Sequence, residues 1–120
     1  MKVLVVEDDA ETGKGLEQLL QEFGLRVQVA GTLAEGRAAL ATFDPDVCLT
    51  DLQLPDGNGI DFIRAARAAD SRREVVVLTG HGSLDTAVEA MKAGAFDYIV
   101  KPFSLANVNR SIVRALQGAS

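Results

Sequence analysis

The chain has 120 residues, 48% of them hydrophobic, which suits one soluble domain with one sizeable core and leaves no room for a second. Seventeen acidic against twelve basic residues give a net charge of -5, so the chain lacks the basic excess with which a protein neutralises nucleic-acid phosphates, and direct nucleic-acid binding is not expected. Its longest apolar runs are strand-sized and no basic segment leads into a long apolar stretch, so neither membrane span nor signal segment is expected, and the cytoplasm is the predicted compartment.

Residues 2–6, Lys-Val-Leu-Val-Val, form a β-branched run of the kind buried on both faces of a parallel sheet. Glu7-Asp8-Asp9 follows, and by itself this triplet also reads as the acidic start of a helix. That helix carries Leu16, Leu19, Leu20 and Phe23 as one apolar stripe and ends at Gly24. Residues 25–30 alternate Leu25, Val27 and Val29 with Arg26 and Gln28, a pattern that predicts an edge strand with one solvated face. Thr32-Leu33-Ala34-Glu35 has capping-box spacing and opens a second helix facing inward with Leu33, Gly36, Leu40 and Phe43, which Asp44-Pro45 stops.

The next strand, Asp46-Val47-Cys48-Leu49-Thr50, runs into Asp51 and the turn Leu54-Pro55-Asp56-Gly57. Cys48 is the chain's one cysteine, so it forms no internal disulfide or multi-cysteine metal site and is assigned to core packing. Asp51 is too costly to bury without partners and is placed at the mouth of the strand, where we read it as a nucleophile. A third helix is marked by Ile60, Ile63, Ala66 and Arg67, with Arg64 and Asp70 on its far side and Ser71-Arg72-Arg73 as a polar connector.

Val75-Val76-Val77-Leu78 is a further buried strand, ending in Thr79-Gly80-His81-Gly82. Ser83 caps a fourth helix, with Asp85 in its first turn and Gly94 at its close. Its apolar residues are mostly small, Ala87, Ala90 and Ala93, which predicts a loosely held element. Residues 96–100 make the fifth strand, ending at Lys101-Pro102, and Ser104 caps a last helix carrying Leu105, Val108, Ile112, Val113 and Leu116.

Five strands alternating with five helices predict an α/β fold: one doubly wound, five-stranded parallel sheet with right-handed crossovers. Ligand sites in such sheets lie beyond the carboxyl ends of the strands. Glu7 and Asp8, Asp51, Thr79 and Lys101 are therefore brought to one edge by four different strands. Hard oxygen ligands at that density favour Mg²⁺, or Mn²⁺ as a similar ion, and without a cation the like charges raise one another's pKa. Lys101 can neutralise a phosphoryl oxygen, Thr79 can bond another, and Asp51 can attack phosphorus in line. Each residue has a plainer reading: a solvated lysine, a threonine ending a strand, a packed tyrosine at Tyr98, a loop histidine at His81. Their conjunction at strand ends favours the site.

With Val5-Val6-Glu7-Asp8-Asp9, Asp51-Leu52-Gln53-Leu54-Pro55-Asp56-Gly57, Val77-Leu78-Thr79-Gly80 and Lys101-Pro102-Phe103 in this order, the whole chain resembles the receiver domain of two-component response regulators. The resemblance implies the flavodoxin- or CheY-like strand order 2-1-3-4-5. It implies that Asp51 accepts a phosphoryl group from the histidine of a sensor histidine kinase. Asp8 is then a direct metal ligand, Glu7 a ligand through water, standing where aspartate is commoner, and Gln53 a ligand by its backbone carbonyl. Thr79 and Tyr98 are the implied switch pair, Lys101 binds the phosphoryl group, and a cis bond precedes Pro102. His81 is not needed as a phosphate donor, though it stands close enough to tune dephosphorylation.

Residues 79–98 look like the NtrC branch of transcriptional regulators, or like FixJ-type relatives, in which the receiver precedes an ATPase or DNA-binding region. Residues 1–120 are accordingly expected to be a receiver domain excised from a longer regulator. Its output is expected to be a changed homodimer interface through the fourth helix, fifth strand and fifth helix. Three other readings stand beside this one. A free-standing receiver would act by phosphorelay or protein binding. An aspartyl-phosphate phosphatase-type enzyme would need a second acid where Gln53 stands. A flavodoxin-like flavin or nucleotide binder would need a glycine-rich phosphate loop where Glu7-Asp8-Asp9 stands.

Overall fold

The structure, a computed structural model, describes residues 1–80 and 82–119. In chain order the elements are β1 (Lys2–Val6), α1 (Ala10–Glu22), β2 (Arg26–Ala30), α2 (Leu33–Thr42), β3 (Val47–Thr50), β4 (Gln53–Leu54), β5 (Gly57–Asn58), α3 (Gly59–Ala69), β6 (Glu74–Thr79), α4 (Leu84–Ala93), β7 (Asp97–Val100) and α5 (Leu105–Ala119). The main sheet has the order β2-β1-β3-β6-β7 and every pairing in it is parallel. With the small antiparallel pair β4-β5 set aside, this is the expected 2-1-3-4-5 sheet.

Strand alternation divides the core in two. Val3 and Val5 of β1, Val47 and Leu49 of β3 and Val76 and Leu78 of β6 point to one face, where Leu16 and Leu20 of α1 and Val108 and Ile112 of α5 cover them. Leu4 and Val6, Cys48, and Val75 and Val77 point to the other face, against α2, α3 and α4. Every residue of β3 is buried, as a strand covered on both sides requires, whereas β2 at the sheet edge keeps Arg26, Gln28 and Val29 exposed.

The helices differ from the sequence expectation in places that have physical causes. The α1 stripe is narrower than predicted: Leu16 and Leu20 are buried, Leu19 is half-buried and Phe23, the C-cap residue beyond the last helical turn, is 55% exposed. In α3 the largest fully buried side chain of the fold, Phe62, lies outside the Ile60–Ile63–Ala66 stripe. It is buried because α3 is flanked by α2 and α4 as well as by the sheet, so its covered arc is wider than one stripe.

Arg73 corrects a second expectation. It does not belong to a solvated connector but is 3% exposed. Its Nε donates to Pro45 O at 2.8 Å, Nη1 to Ala66 O at 3.3 Å and Nη2 to Leu40 O at 3.5 Å, with Asp44 Oδ1 at 2.8 Å from Nη2. One guanidinium thus satisfies carbonyls near the C-terminal ends of two helices and ahead of β3. Beside it, Arg67 donates to Arg73 O at 2.8 Å and pairs with Glu74.

The expected looseness of α4 has a visible basis. Ala90 is its buried residue, while Leu84, Val88 and Met91 are 80%, 45% and 48% exposed. Ser83 caps it in a mutual capping box with Thr86, and Gly94 ends it at φ 110°, a left-handed conformation open to glycine at no steric cost. The Lys101–Pro102 bond is cis, as the resemblance implied.

Cys48 lies in the core at 0% exposure, and burial pushes its thiol up to about 12. The thiolate, the reactive form, is therefore scarce at neutral pH. A disulfide reagent at pH 8 is expected to label the native domain only as fast as it unfolds, and to label it promptly in guanidinium. Rapid native labelling would contradict this packing.

Candidate functional site at the carboxyl edge of the sheet

The ladder carries the site residues one step past the ends of the strands. Asp51 N donates to Val6 O at 3.0 Å, Glu7 N to Ala30 O at 2.9 Å and Lys101 N to Thr79 O at 2.8 Å, so each functional backbone is fixed by its neighbouring strand. Within the ladder Val6 faces Thr50, Thr50 faces Val77 and Thr79 faces Val100. The predicted group from four strands is therefore brought together at one edge.

Glu7, Asp8 and Asp51 each offer a carboxylate oxygen, and these oxygens lie within 4.8 Å of one another. Glu7 and Asp51 are 5% and 7% exposed and Asp8 is exposed, so the cluster is closed below and open to solvent above. Lys101 Nζ bridges it, donating to Glu7 Oε1 and, at 3.2 Å, to Asp51 Oδ2. The other Asp51 oxygen, Oδ1, accepts from Gln53 N at 3.1 Å, and Glu7 Oε2 accepts from Asp9 N at 3.2 Å.

Burial raises the Glu7 carboxyl above its ordinary value, outweighing the Lys101 hydrogen bond and the Asp9 amide, and the Asp51 charge pushes the same way. Burial alone would lower Lys101, but the hydrogen bond to Glu7 and the charges of Asp51 and Glu7 prevail and hold its ammonium above the usual lysine value. Three carboxylates against one ammonium leave the pocket with an excess of negative charge and hard oxygen donors, a donor set that fits a small divalent cation.

Gln53 is the first residue of β4 and its side chain is exposed. Thr79 is fully buried at the end of β6. Tyr98 pairs with Val77 in the ladder, and its half-buried ring packs against the α2–α3–α4 core. The Tyr98 hydroxyl shares a 2.8 Å hydrogen bond with Thr86 Oγ1 in the first turn of α4. Thr86 was not singled out in the sequence, where it is one hydroxyl among the polar residues of a helix start. His81 lies outside the described residues, as does Ser120 at the chain end.

Gly59 is a further contributor that no sequence signal separates from the other turn glycines. It opens α3, its N–H donates to Leu52 O at 2.8 Å, and a Cβ there would overlap the carbonyl oxygen of Asp51. The backbone of Asp51 thus rests directly on the start of α3.

No helix among the described residues is long and apolar enough to cross a membrane. The chain is 38% identical over 116 residues to the response regulator protein PilR of Pseudomonas aeruginosa, covering 97% of this chain and 26% of that protein. It is 35% identical over 119 residues to the regulatory protein AtoC of Escherichia coli, covering 97% of this chain and 25% of that one. The chain thus spans about a quarter of the length of these two relatives. Its fold superposes on the solution structure of the beryllofluoride-activated NtrC4 receiver domain dimer with a TM-score of 0.93 and 36% identity, covering 99% of this chain and 98% of that one. The sequence profile of the response regulator receiver domain matches residues 3–113, and the chain belongs to that family.

Proposed function

We propose that Asp51 accepts a phosphoryl group from the phosphohistidine of a sensor histidine kinase, that the transfer requires Mg²⁺ or Mn²⁺, and that the modified domain is the regulatory segment of a longer, transcriptional regulator in the cytoplasm. The observation that carries this reading is Asp51 itself: a nearly buried carboxylate at a strand end, with Lys101 on one oxygen, the Gln53 amide on the other, and Glu7 and Asp8 beside it. In the transfer an Asp51 oxygen forms a bond to phosphorus as the phosphorus–nitrogen bond breaks. The electron pair leaves with the imidazole, and the product is an acyl phosphate.

Glu7, Asp8, Asp51 and the backbone carbonyl of Gln53 would hold the cation, with Glu7 acting through water. When bound, the metal offsets the charge of the phosphoryl oxygens. Lys101 is placed to give up one of its two carboxylate partners for a phosphoryl oxygen, as a point charge on a flexible stem. The Thr79 hydroxyl takes another oxygen, and Tyr98, tied to α4 through Thr86, passes that change to a helix with little buried surface. The domain acts as a switch, with no turnover beyond its own phosphotransfer and slow dephosphorylation.

The intact mass of the domain after incubation with acetyl phosphate and Mg²⁺ tests this reading. One phosphoryl adduct is expected on the natural chain and none on Asp51→Asn, with Asp8→Asn losing it for want of the metal. An adduct that survives in Asp51→Asn would overturn the assignment.

The partner surface for the output is the α4–β7–α5 face, through a second copy of the domain. Leu84, Val88, Met91 and Val100 are exposed there, while Ser111 Oγ donates to Asp97 Oδ2 at 2.7 Å and keeps α5 fixed to β7. Sedimentation with and without beryllofluoride is expected to show self-association that Val88→Glu with Met91→Glu weakens. Association unaffected by these charges would move the interface elsewhere.

A further inference from the structure

The N-terminus of α2 is completed from a distance. The first four amides of a helix have no partner inside it. In α2 the amide of Glu35 donates to Thr32 Oγ1 at 3.1 Å and that of Gly36 to Thr32 O at 3.0 Å, which leaves Leu33 and Ala34 without a local acceptor. Asp56, more than 20 residues further along, supplies both: Oδ1 accepts from Leu33 N at 2.8 Å and Oδ2 from Ala34 N at 2.9 Å. These two amides hold the Asp56 carboxyl below the usual aspartate range, so it is ionised throughout the neutral region.

Asp56 sits in the turn between β4 and β5, and that hairpin also carries Gln53. A ladder of two residue pairs, Gln53 with Asn58 and Leu54 with Gly57, is too short to hold its own shape in water. It is anchored at its base by the Gly59 amide on Leu52 O, and Leu54, next to the turn, is buried. At its tip the anchor is the Asp56 clamp on α2. Asp56 stands outside the cluster of Glu7, Asp8 and Asp51, so it cannot act as a ligand of a cation bound there.

We infer that Asp56 is a positioning residue for the metal-dependent acceptance of phosphate: by clamping the β4–β5 turn to α2 it holds the Gln53 carbonyl in register with Asp51 for the divalent cation. The inference rests on the proposed function, because it needs a cation at that edge. Loss of the clamp frees the hairpin tip, and binding must then order it again, so affinity falls without loss of a ligand.

The test is calorimetric titration of Mg²⁺ into the natural domain, Asp56→Asn and Asp56→Ala, with acetyl phosphate labelling rates measured across the same Mg²⁺ range. Asp56→Ala is expected to bind Mg²⁺ roughly tenfold more weakly, with Asp56→Asn, which keeps one acceptor, in between. The maximal labelling rate should return at saturating Mg²⁺. Hydrogen exchange at Leu33 and Ala34 reports whether the clamp has opened. An unchanged Mg²⁺ affinity with those amides exposed, or with only a lowered melting temperature, would overturn the role of Asp56, since that is what a simple helix cap does. A natural domain that takes up no Mg²⁺ would overturn the metal reading and this inference together.

Discussion

Replacing Arg73 by alanine is expected to remove about 3–5 kcal/mol of stability, a large part of the ~5–15 kcal/mol a domain has. The ion pair supplies little of this, because Asp44 is 70% exposed and such pairs contribute about 0–1 kcal/mol. The larger share comes from the carbonyls of Pro45 and Leu40, which lose their donor, at about 1–3 kcal/mol for each buried group left unpaired, while Ala66 O keeps the Asp70 amide. Urea unfolding should show the loss as a lower midpoint with an unchanged slope. Arg73→Lys should recover only part of it, because an ammonium cannot reproduce the spread of guanidinium donors. Arg73 precedes β6, at the edge of the sheet opposite Asp51, so the folded fraction of the variant should still take up phosphate at the natural rate. A loss below about 1 kcal/mol would mean that water replaces the donor, and that the connector is as solvated as its sequence suggests.

Gly59→Ala is expected to act on both stability and chemistry. The added Cβ would overlap Asp51 O and lie 3.0 Å from Leu52 Cα, and neither of these backbone atoms can turn aside as a side chain can. Either α3 shifts or the end of β3 does, at about 1–3 kcal/mol for overpacking of this kind. The displacement falls on Asp51, the proposed phosphoacceptor. A misplacement of about 1 Å can slow a positioned reaction roughly a hundredfold. Acetyl phosphate labelling of the variant should therefore fall much further than its fraction folded. Labelling at the natural rate would show that α3 yields and Asp51 stays in place.

These two residues also mark where the sequence stops being informative. The parallel sheet and the edge that carries Glu7, Asp8, Asp51, Thr79 and Lys101 could be read from it, because buried strands are continuous apolar runs and a charge following such a run must sit at its mouth, whereas the strand order came from the family resemblance. Local capping was equally legible: Thr32, Ser83 and Gly94 act within a few residues of themselves. Arg73, Asp56 and Thr86 were not, because each acts on a partner distant in the chain. Arg73 reaches Leu40 and Pro45, Asp56 reaches Leu33 and Ala34, and Thr86 reaches Tyr98 from α4 to β7. A polar residue in a loop has the same local signature whether it is solvated or joined to another element. The bridge from Lys101 to both Glu7 and Asp51 belongs with these: the sequence brought the three to one edge, and only the structure shows the pairing.

The central claim, that Asp51 becomes an acyl phosphate, is tested most directly by borohydride reduction of the phosphorylated domain followed by peptide sequencing in a mass spectrometer. Reductive cleavage of an aspartyl phosphate leaves homoserine in its place. The account predicts homoserine at residue 51 alone, and only when Mg²⁺ and phosphodonor are both present. Homoserine at residue 8 or elsewhere, or an unmodified chain under conditions that saturate the domain with Mg²⁺, would contradict it.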